Sequence, residues 1–195
     1  MSPRVLLLDV MGTLVHDPFY VEVPASLGMS LDELIAVKHP RAWVDFELGH
    51  IDEPTFLSRF FADERQFDGE GLRDAMDNAY RYLPGIEALL QELRSGGVPM
   101  HALSNYPPWY ALIERRLSLS RYLKWSFVSC ELGLRKPDPA IYEHAAKTLG
   151  LPPTACVFVD DRADNCDAAR ATGMDAVCFT AADALREALV GRGLL

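Results

Sequence analysis

The sequence lacks the features that direct a protein to a membrane or to a nucleic acid. No apolar stretch approaches the roughly 20 residues that span a bilayer, and the N-terminus does not have the charged-then-apolar layout of a signal peptide. No run rich in Lys and Arg stands out, and the formal net charge is -9. Because nucleic-acid backbones are bound through a basic surface, we expect a soluble, intracellular protein with neither a nucleic-acid nor a membrane partner.

The four cysteines also lack the arrangement of a metal site. Cys130, Cys156, Cys166 and Cys178 form no CxxC pair and no Cys/His spacing of the metal-binding kind. Three of them fall in strand-like stretches, which favours buried free thiols. The composition, 49% hydrophobic and 24% charged, is that of an ordinary globular protein. The 195 residues suffice for one domain with a modest insertion.

Short apolar runs alternate with helical patterns over most of the chain. The first run opens the segment 5–15, VLLLDVMGTLV, and later runs cover about 98–103, 125–130, 156–159 and 176–179. This alternation predicts an α/β fold with a doubly wound parallel sheet. Between residues 16 and 82 the strand-like runs disappear and apolar residues fall at helical spacing. We therefore predict a core formed by residues 1–15 and 83–195 and a small α-helical insertion, residues 16–82, after the first strand.

Helix starts within the insertion are marked by capping residues. Ser30 is followed by Glu33 in the spacing of a capping box. Asp52 is followed by Pro54, and proline is favoured in the first turn of a helix. These signals predict helices that begin just after Ser30 and just after Asp52.

Polar residues follow three of the predicted strands at their carboxyl ends. They are Asp9, the pair Ser104 and Asn105, and the pair Asp160 and Asp161. Ligands of open parallel sheets bind outside the carboxyl ends of the strands. We therefore expect these side chains to converge at one edge of the sheet.

The residue types at this edge suit phosphoryl chemistry. Carboxylate oxygens are ligands that Mg²⁺ accepts together with substrate phosphate, and a carboxylate such as Asp9 can also act as a covalent nucleophile. Lys136 could neutralise a transferred phosphoryl group, and the hydroxyls of Thr13 and Ser104 could donate hydrogen bonds to it. Gly12 gives the backbone freedom to approach a substrate closely.

These segments resemble, in order and at suitable spacing, the four motifs of the haloacid dehalogenase superfamily. The matching segments are Asp9-Val-Met-Gly-Thr13-Leu, Ser104-Asn105, Lys136-Pro-Asp-Pro and Asp160-Asp-Arg-Ala-Asp-Asn165. The resemblance spans residues 5 to about 179 and implies a Rossmann-like core. The insertion resembles the helical cap of the first subclass of that superfamily, which closes over the site and selects substrates.

The resemblance implies a role for each matching residue. Asp9 would attack phosphorus and form an aspartyl-phosphate, and the phosphoryl group would be held by Thr13, Ser104, Asn105 and Lys136. Mg²⁺ would be held by Asp9, Asp161 and the backbone carbonyl of Met11, with Asp160 in the outer shell. Gly12 and Arg41 are candidate substrate-binding residues, although Arg41 also suits a solvated or ion-paired position.

Met11 departs from the pattern of the superfamily. Most of its phosphatases carry a second aspartate at this position, which protonates the leaving group and then activates water, a contribution of about 10²–10⁴-fold in rate. Met11 can do neither. One interpretation is a phosphatase with a substitute acid, His16 or Asp17, or with a substrate whose leaving group needs little protonation.

Two other interpretations remain open. A metal-independent 2-haloacid dehalogenase would use residues of suitable type that are present here, namely Asp9, Thr13, Arg41, Ser104, Asn105, Lys136 and Tyr142. The adjacent acids Asp160 and Asp161 count against it, because dehalogenases carry uncharged residues at the first of these positions. The third interpretation is a catalytically impaired binding or regulatory protein on the same fold.

Further segments resemble plant plastid flavin mononucleotide hydrolases. They are Asp17-Pro-Phe-Tyr20, Lys38-His-Pro40, Trp43, Phe46-Glu47, Ser104-Asn-Tyr-Pro107 and Trp109-Tyr110. This resemblance favours a Mg²⁺-dependent phosphatase that acts on a small phosphomonoester, with flavin mononucleotide as a candidate. It implies the cytoplasm, or the plastid stroma if a transit peptide was removed. Aromatic residues of the insertion should mostly form its core, and one of them could stack on a flavin ring.

Overall fold

The computed structural model describes residues 4–195, and a parallel sheet of five strands lies at its centre. The strands are β1 (Val5–Leu8), β2 (Met100–Ser104), β3 (Lys124–Val128), β4 (Cys156–Asp160) and β5 (Asp175–Cys178). Their order is β3-β2-β1-β4-β5, and every neighbouring pair is parallel. The predicted α/β doubly wound fold is confirmed. Residues 1–3 of the predicted core lie outside the described residues.

Strand β1 occupies the middle of the sheet and is buried on both faces. Successive side chains of a strand point to opposite faces. Leu6 and Leu8 accordingly join one apolar cluster, and Val5 and Leu7 join another, all at most 2% exposed. A continuous apolar run suits such a position, whereas an alternating pattern would expose one face. The strand therefore delivers the residue that follows it, Asp9, to the centre of one sheet edge.

Eleven α-helices accompany the sheet within residues 4–195. Those between β1 and β2 are α1 (Glu22–Ser26), α2 (Leu31–Val37), α3 (Ala42–Glu47), α4 (Glu53–Ser58), α5 (Gly69–Ala79) and α6 (Ile86–Ser95). Later in the chain follow α7 (Tyr110–Leu117), α8 (Ser129–Leu132), α9 (Pro139–Leu149), α10 (Ala163–Ala171) and α11 (Ala182–Val190). Helices α6, α7 and α11 cover one face of the sheet, and α9 and α10 cover the other. None of the helices formed by these residues is both long and apolar enough to pass through a bilayer.

The predicted helix caps in the insertion are present. The Ser30 side chain accepts a hydrogen bond from the backbone of Glu33, and the Glu33 side chain accepts one from the backbone of Ser30. The Asp52 carboxylate accepts a hydrogen bond from the backbone N–H of Thr55. Each cap satisfies backbone donors that the first turn leaves unpaired.

The chain leaves and re-enters the core through two neighbouring segments. The N–H of His16 donates to the carbonyl of Arg81, and the N–H of Leu83 donates to the carbonyl of Leu14, both at 2.9 Å. This paired connection supports the boundaries 16–82, which remain a prediction. Helices α1 to α5 lie between its two segments.

An aromatic cluster packs the insertion against the core. Phe46 of α3 and Phe56 of α4 stack with ring centroids 4.7 Å apart. Trp109, which precedes α7, meets Phe46 and Phe56 edge-on at 5.4 and 5.5 Å. Edge-to-face contacts of this kind add to the stability gained from burial. The insertion and the core therefore share one apolar interior.

The burial of the four thiols differs from the expectation. All four are free, and Cys156 and Cys166 are buried, but Cys130 is only partly buried and Cys178 is exposed. Cys130 also lies in the short helix α8 because β3 ends at Val128. The expectation of buried thiols is therefore wrong for Cys178, which lies at the end of the edge strand β5.

Candidate active site

Three carboxyl groups converge where β1 and β4 end. Asp9 directly follows β1, Asp160 is the last residue of β4, and Asp161 follows it. One carboxylate oxygen of each lies within 4.8 Å of the others. The convergence of these side chains follows from the parallel pairing of β1 with β4, which brings both carboxyl ends to the same edge.

Lys136 connects two of these acids. Its Nζ donates hydrogen bonds to Oδ1 of Asp9 and Oδ2 of Asp160, both at 2.6 Å, and all three side chains are buried. Burial alone lowers the pKa of Lys136, but the charges of the two acids outweigh it and raise the pKa above its usual value. The lysine therefore remains an ammonium ion.

Asn105 holds the backbone of Lys136 in place. Its Oδ1 accepts a hydrogen bond from the Lys136 N–H, and its Nδ2 donates to the Lys136 carbonyl, both at 2.8 Å. The side-chain amide thus pairs with the main chain as another peptide group would. Asn105 follows β2 directly, so the end of this strand positions a lysine that is 31 residues further along.

The charge balance of the site favours a cation. Burial raises the pKa of Asp9, the ammonium of Lys136 opposes this, and the charges of Asp160 and Asp161 add to the rise. Three acids thus face a single buried ammonium group. The carbonyl oxygen of Met11 accepts no hydrogen bond from residues 4–195. Hard oxygen donors with excess negative charge fit Mg²⁺.

Asp160 is saturated with hydrogen bonds. Its Oδ1 accepts from the backbone N–H of Arg162 at 2.9 Å, and both oxygens accept from Nδ2 of Asn165 at 3.0 and 3.1 Å. With Lys136 on Oδ2, the carboxylate has its bonding capacity filled by the protein. Asp160 therefore holds neighbouring groups in place, and of the three converging acids only Asp9 and Asp161 border the cavity.

The turn after β1 is tied to the loop after β4. Oγ1 of Thr13 lies 3.4 Å from Oδ2 of Asp9 and accepts the backbone N–H of Asp161 at 3.1 Å. Thr13 is fully buried, so it orders the carboxylates and does not border the cavity. Gly12 has φ +76°, and a Cβ there would lie 2.8 Å from a carboxylate oxygen of Asp161. Both this φ and this contact require glycine at the position.

Ser104 carries a buried hydroxyl without a protein partner. Its Oγ makes no hydrogen bond to any of residues 4–195, although the residue is fully buried. An unpaired buried hydroxyl costs about 1–3 kcal/mol. Ser104 ends β2, the neighbour of β1. Like Thr13, Ser104 does not border the cavity, but it directly precedes Asn105, which does, so its hydroxyl is an unused donor next to the polar end.

A cavity of about 470 Å³ extends from the acids toward the insertion. Its polar end is bordered by Asp9, Gly12, Asn105, Lys136 and Asp161. Its apolar end is bordered by Phe19, Val23, Trp43, Phe56, Phe60, Leu72, Met76 and Tyr106. The cavity suits a molecule with an anionic end and a large apolar end.

Arg41 is the predicted binding residue that the structure does not bring to the cavity. Its side chain is 68% exposed and pairs with Asp45, four residues further along α3, at 3.3 Å. The ion-paired alternative for Arg41 describes what the structure shows. Besides Lys136, the lysine and arginine residues that border the cavity are Lys38, Arg135 and Arg162.

Glu47 borders the cavity, but in the sequence it was noted only within a resembling segment and was given no role. It is the last residue of α3, is buried, and accepts hydrogen bonds from the guanidinium of Arg135 at 2.7–2.8 Å. The signal in the sequence that could have identified Glu47 is its place next to Phe46, on the face of a short helix that turns inward. Glu47 joins the insertion to the loop that carries Lys136.

The candidate replacements for an acid at position 11 lie in different surroundings. Nε2 of His16 is 2.9 Å from both carboxylate oxygens of Glu22, and His16 does not border the cavity. Asp17 borders the cavity, as does Met11 itself. Of the two candidates, Asp17 alone is therefore placed to meet a substrate.

Comparisons with known proteins agree with this architecture. A model of the haloacid dehalogenase-like hydrolases matches residues 3–173. The chloroplastic flavin mononucleotide hydrolase 1 of Arabidopsis thaliana is 47% identical over 190 residues, which cover 97% of this chain and 78% of that protein. A phosphoglycolate phosphatase of Pseudomonas savastanoi pv. phaseolicola is 27% identical over 201 residues, which cover 91% of this chain and 70% of that protein.

A solved structure shows the same fold. An HAD family enzyme of Bacteroides thetaiotaomicron, crystallised with magnesium and inorganic phosphate, superposes with a TM-score of 0.72. The superposition covers 92% of this chain and 96% of that chain, and the sequences are 18% identical. At this identity the likeness concerns the fold.

Proposed function

We propose, from the premise that this chain belongs to the haloacid dehalogenase-like hydrolase family, that it is a Mg²⁺-dependent phosphatase forming an aspartyl-phosphate on Asp9. The observation that carries this proposal is the position of Asp9. Its carboxylate borders the polar end of the cavity, is bonded to the buried ammonium of Lys136, and lies beside Asp161. A nucleophile, a fixed positive charge and a cation site thus share one small volume.

The residues of the chain account for both steps of the reaction. In the first, an oxygen of Asp9 forms a bond to phosphorus while the ester bond breaks and the leaving oxygen takes up a proton. Lys136 and the hydroxyl of Ser104 stabilise the charge of the phosphoryl oxygens. In the second, water attacks phosphorus, gives up a proton, and releases phosphate, so that the carboxylate of Asp9 is regenerated.

Asp9, Asp161 and the carbonyl of Met11 are the groups that would hold Mg²⁺. When bound, the ion supplies positive charge that offsets the repulsion between the nucleophile and the substrate phosphate. Asp160 and Thr13 keep Asp9 and Asp161 in their places through the hydrogen bonds described above. Such supporting contacts orient metal ligands and tune their affinity.

Flavin mononucleotide is the substrate that we propose. The relative that is 47% identical is named as a hydrolase of this compound. The cavity has an apolar end where Trp43 lies 5.8 Å from Tyr106 and 5.7 Å from Phe56, between ring centroids. Flat aromatic ligands gain from packing against such rings. A cavity of about 470 Å³ also falls within the usual range for small-molecule sites, about 300–1,000 Å³.

The test is phosphate release from flavin mononucleotide and a panel of phosphomonoesters, with and without Mg²⁺. We expect metal-dependent release that falls on the order of 10³-fold or more in Asp9→Asn, as is usual when a nucleophile is removed. Asp164→Asn is the control, because this exposed acid of α10 does not border the cavity and, within residues 4–195, pairs with Arg162. Phosphate binding without turnover, or halide release from a 2-haloacid without metal, would contradict the proposal.

A further inference from the structure

The proposed phosphatase reaction requires a proton donor, and Met11 cannot supply the proton. The inference about the donor rests on the proposed function. The thioether of Met11 borders the cavity but carries no acidic proton. Expulsion of an alkoxide from phosphorus is aided about 10²–10⁴-fold when a positioned acid protonates the leaving oxygen. The donor must therefore be another group that borders the cavity.

His39 borders the cavity, but its Nδ1 is committed to the backbone N–H groups of Arg41 and Ala42. The carboxyl groups bordering the cavity are those of Asp9, Asp17, Glu47 and Asp161. Two of them form the nucleophile and cation site. Glu47 is engaged by the guanidinium of Arg135 at 2.7–2.8 Å. Asp17 is the acid without such a commitment.

Asp17 borders the cavity, and its charge interacts with groups at both the polar and the aromatic end. Its Oδ1 accepts the backbone N–H of Phe19 at 3.0 Å, whereas its Oδ2 has no hydrogen-bond partner in the described part of the chain. On one side, the charge of Asp161 acts on Asp17. On the other, burial raises the pKa of Tyr106; its neighbour Tyr80, whose hydroxyl is hydrogen-bonded to it at 2.8 Å, raises it further, and the charge of Asp17 adds to the rise.

This position corresponds to that of the ester bond. A phosphomonoester with its phosphate beside Asp9 and its organic part among the aromatic residues has its bridging oxygen between them. We propose that Asp17 is the general acid and base of the reaction. Its carboxyl proton passes to the bridging oxygen as the bond from phosphorus to that oxygen breaks. The carboxylate of Asp17 then takes a proton from the water that attacks the aspartyl-phosphate, and the cycle closes.

The surroundings of Asp17 favour its protonated form. Burial raises its pKa, and the charges of Asp161 and Glu22 raise it further. The N–H of Phe19 and the charge of His16 act in the opposite direction, but the balance leaves the pKa above its usual value of 3.8. A raised pKa brings a carboxyl group closer to the range in which it can both give and accept a proton.

The test compares Asp17→Asn with wild type on two kinds of substrate. An asparagine retains the oxygen that caps Phe19, so the fold is expected to persist. Turnover of flavin mononucleotide should fall about 10²–10⁴-fold. With p-nitrophenyl phosphate, whose leaving group needs no proton, the variant should release one equivalent of nitrophenol in a rapid burst and then stall at the aspartyl-phosphate.

Two further variants and a binding measurement separate this role from a structural one. Met11→Asp in the Asp17→Asn background should restore turnover of flavin mononucleotide at least tenfold. His16→Gln should retain turnover, because His16 faces Glu22 and not the cavity. Mg²⁺ affinity, measured by calorimetry, should be the same in wild type and Asp17→Asn.

The outcomes distinguish this inference from the function on which it rests. If wild type hydrolyses no phosphomonoester, the proposed phosphatase function is wrong. If wild type is active and Asp17→Asn either keeps its rate on flavin mononucleotide or loses the nitrophenol burst as well, Asp17 is not the acid.

Discussion

Ser104 and Ser129 are both fully buried serines, and they differ in one respect. The Oγ of Ser104 has no partner within residues 4–195. The Oγ of Ser129 donates to the carbonyl of Glu47 and accepts the N–H of Tyr106 at 2.9 Å. One hydroxyl therefore bonds within the fold, and the other makes no bond to the described part of the chain.

Alanine at each position should separate stability from binding. Ser104→Ala removes an unpaired hydroxyl and should leave the free energy of unfolding unchanged or raise it by up to about 1 kcal/mol. Ser129→Ala strands a buried carbonyl and a buried N–H and should lower it by about 1–3 kcal/mol. Urea denaturation measures both. Ser104→Ala should also raise KM for the phosphate ester, and an equal loss of stability in the two variants would contradict these assignments.

At the scale of single residues, the sequence predicted which side chains meet better than how each is used. Asp9 and Asp161 could be brought together on paper because strand ends of a parallel sheet share an edge. How deeply each side chain is buried could not be predicted in this way, and Thr13 is buried away from the cavity. Whether Arg41 faces the cavity or the solvent depends on how α3 is rotated about its axis. A helix of six residues is too short for its sequence periodicity to show this rotation.

The helix α3 is joined to the loop that carries Lys136 by the buried side chain of Glu47. Glu47 at the end of α3 pairs with Arg135, the residue before Lys136. Burial raises the pKa of Glu47, although the guanidinium of Arg135 acts against this. The folded protein therefore binds a proton at Glu47 more readily than the unfolded chain does.

This difference predicts a pH dependence of stability. Just above pH 4.5, the usual pKa of glutamate, the unfolded chain loses the proton of Glu47 before the folded protein does. The contribution of Glu47 to the free energy of unfolding should therefore fall as pH rises through this range, by at most about 1.4 kcal/mol per pH unit. Glu47→Gln should make the fall shallower in denaturation curves recorded at several pH values.

Glu92 provides the matched control. The guanidinium of Arg186 lowers its pKa, so Glu92 contributes stability that is present at neutral pH and lost as pH falls. Glu92→Gln should accordingly remove a rise of stability with pH below about 4.5 and leave the slope above pH 4.5 nearly unchanged. The same change of slope in both variants would show that the effect of Glu47→Gln does not come from burial.

At the scale of elements, capping chemistry was the reliable signal. Ser30 and Asp52 begin helices as predicted, because a cap is a local interaction between neighbours in the sequence. The end of β3 was harder to predict. Cys130 continues an apolar run, but the chain turns into α8 after Val128, where the Ser129 hydroxyl is used by the distant residue Glu47.

The molecule as a whole carries a net charge of -9, and part of this negative charge is concentrated at the three acids of the site. Binding of Mg²⁺ to the folded protein alone should stabilise it by about 2.7 kcal/mol at a concentration 100 times Kd. For a chain of this length that corresponds to a rise in Tm of roughly 5–10 °C. Calorimetric scans with and without Mg²⁺ measure this shift.

The shift should depend on the site and not on charge in general. Asp161→Asn should abolish most of it, because Asp161 borders the cavity beside Asp9. Asp183→Asn, at an exposed position of α11, should keep it in full. An equal shift in the two variants would place the ion elsewhere.

The class of fold was predictable from the alternation of strands and helices, and the shape of the cavity was not. Alternation of strands and helices indicates a parallel sheet, because a crossover connection, usually a helix, must bring the chain back before the next parallel strand can begin. The apolar end of the cavity, however, depends on how Trp43 and Phe56 pack against Tyr106 and Trp109, far apart in the sequence. Such contacts have no periodic signature.

The paired segments at residues 14–16 and 81–83 also bear on how the protein tolerates changes of length. The core already holds the two ends of the insertion together, so the entropy of closing this loop depends only weakly on the number of residues within it. Doubling that number would add about 0.6 kcal/mol. Lengthening or shortening the helical segment is therefore a small thermodynamic change that leaves the strand ends carrying Asp9 and Asp160 where they are. The apolar end of the cavity can thus be rebuilt while its polar end stays unaltered.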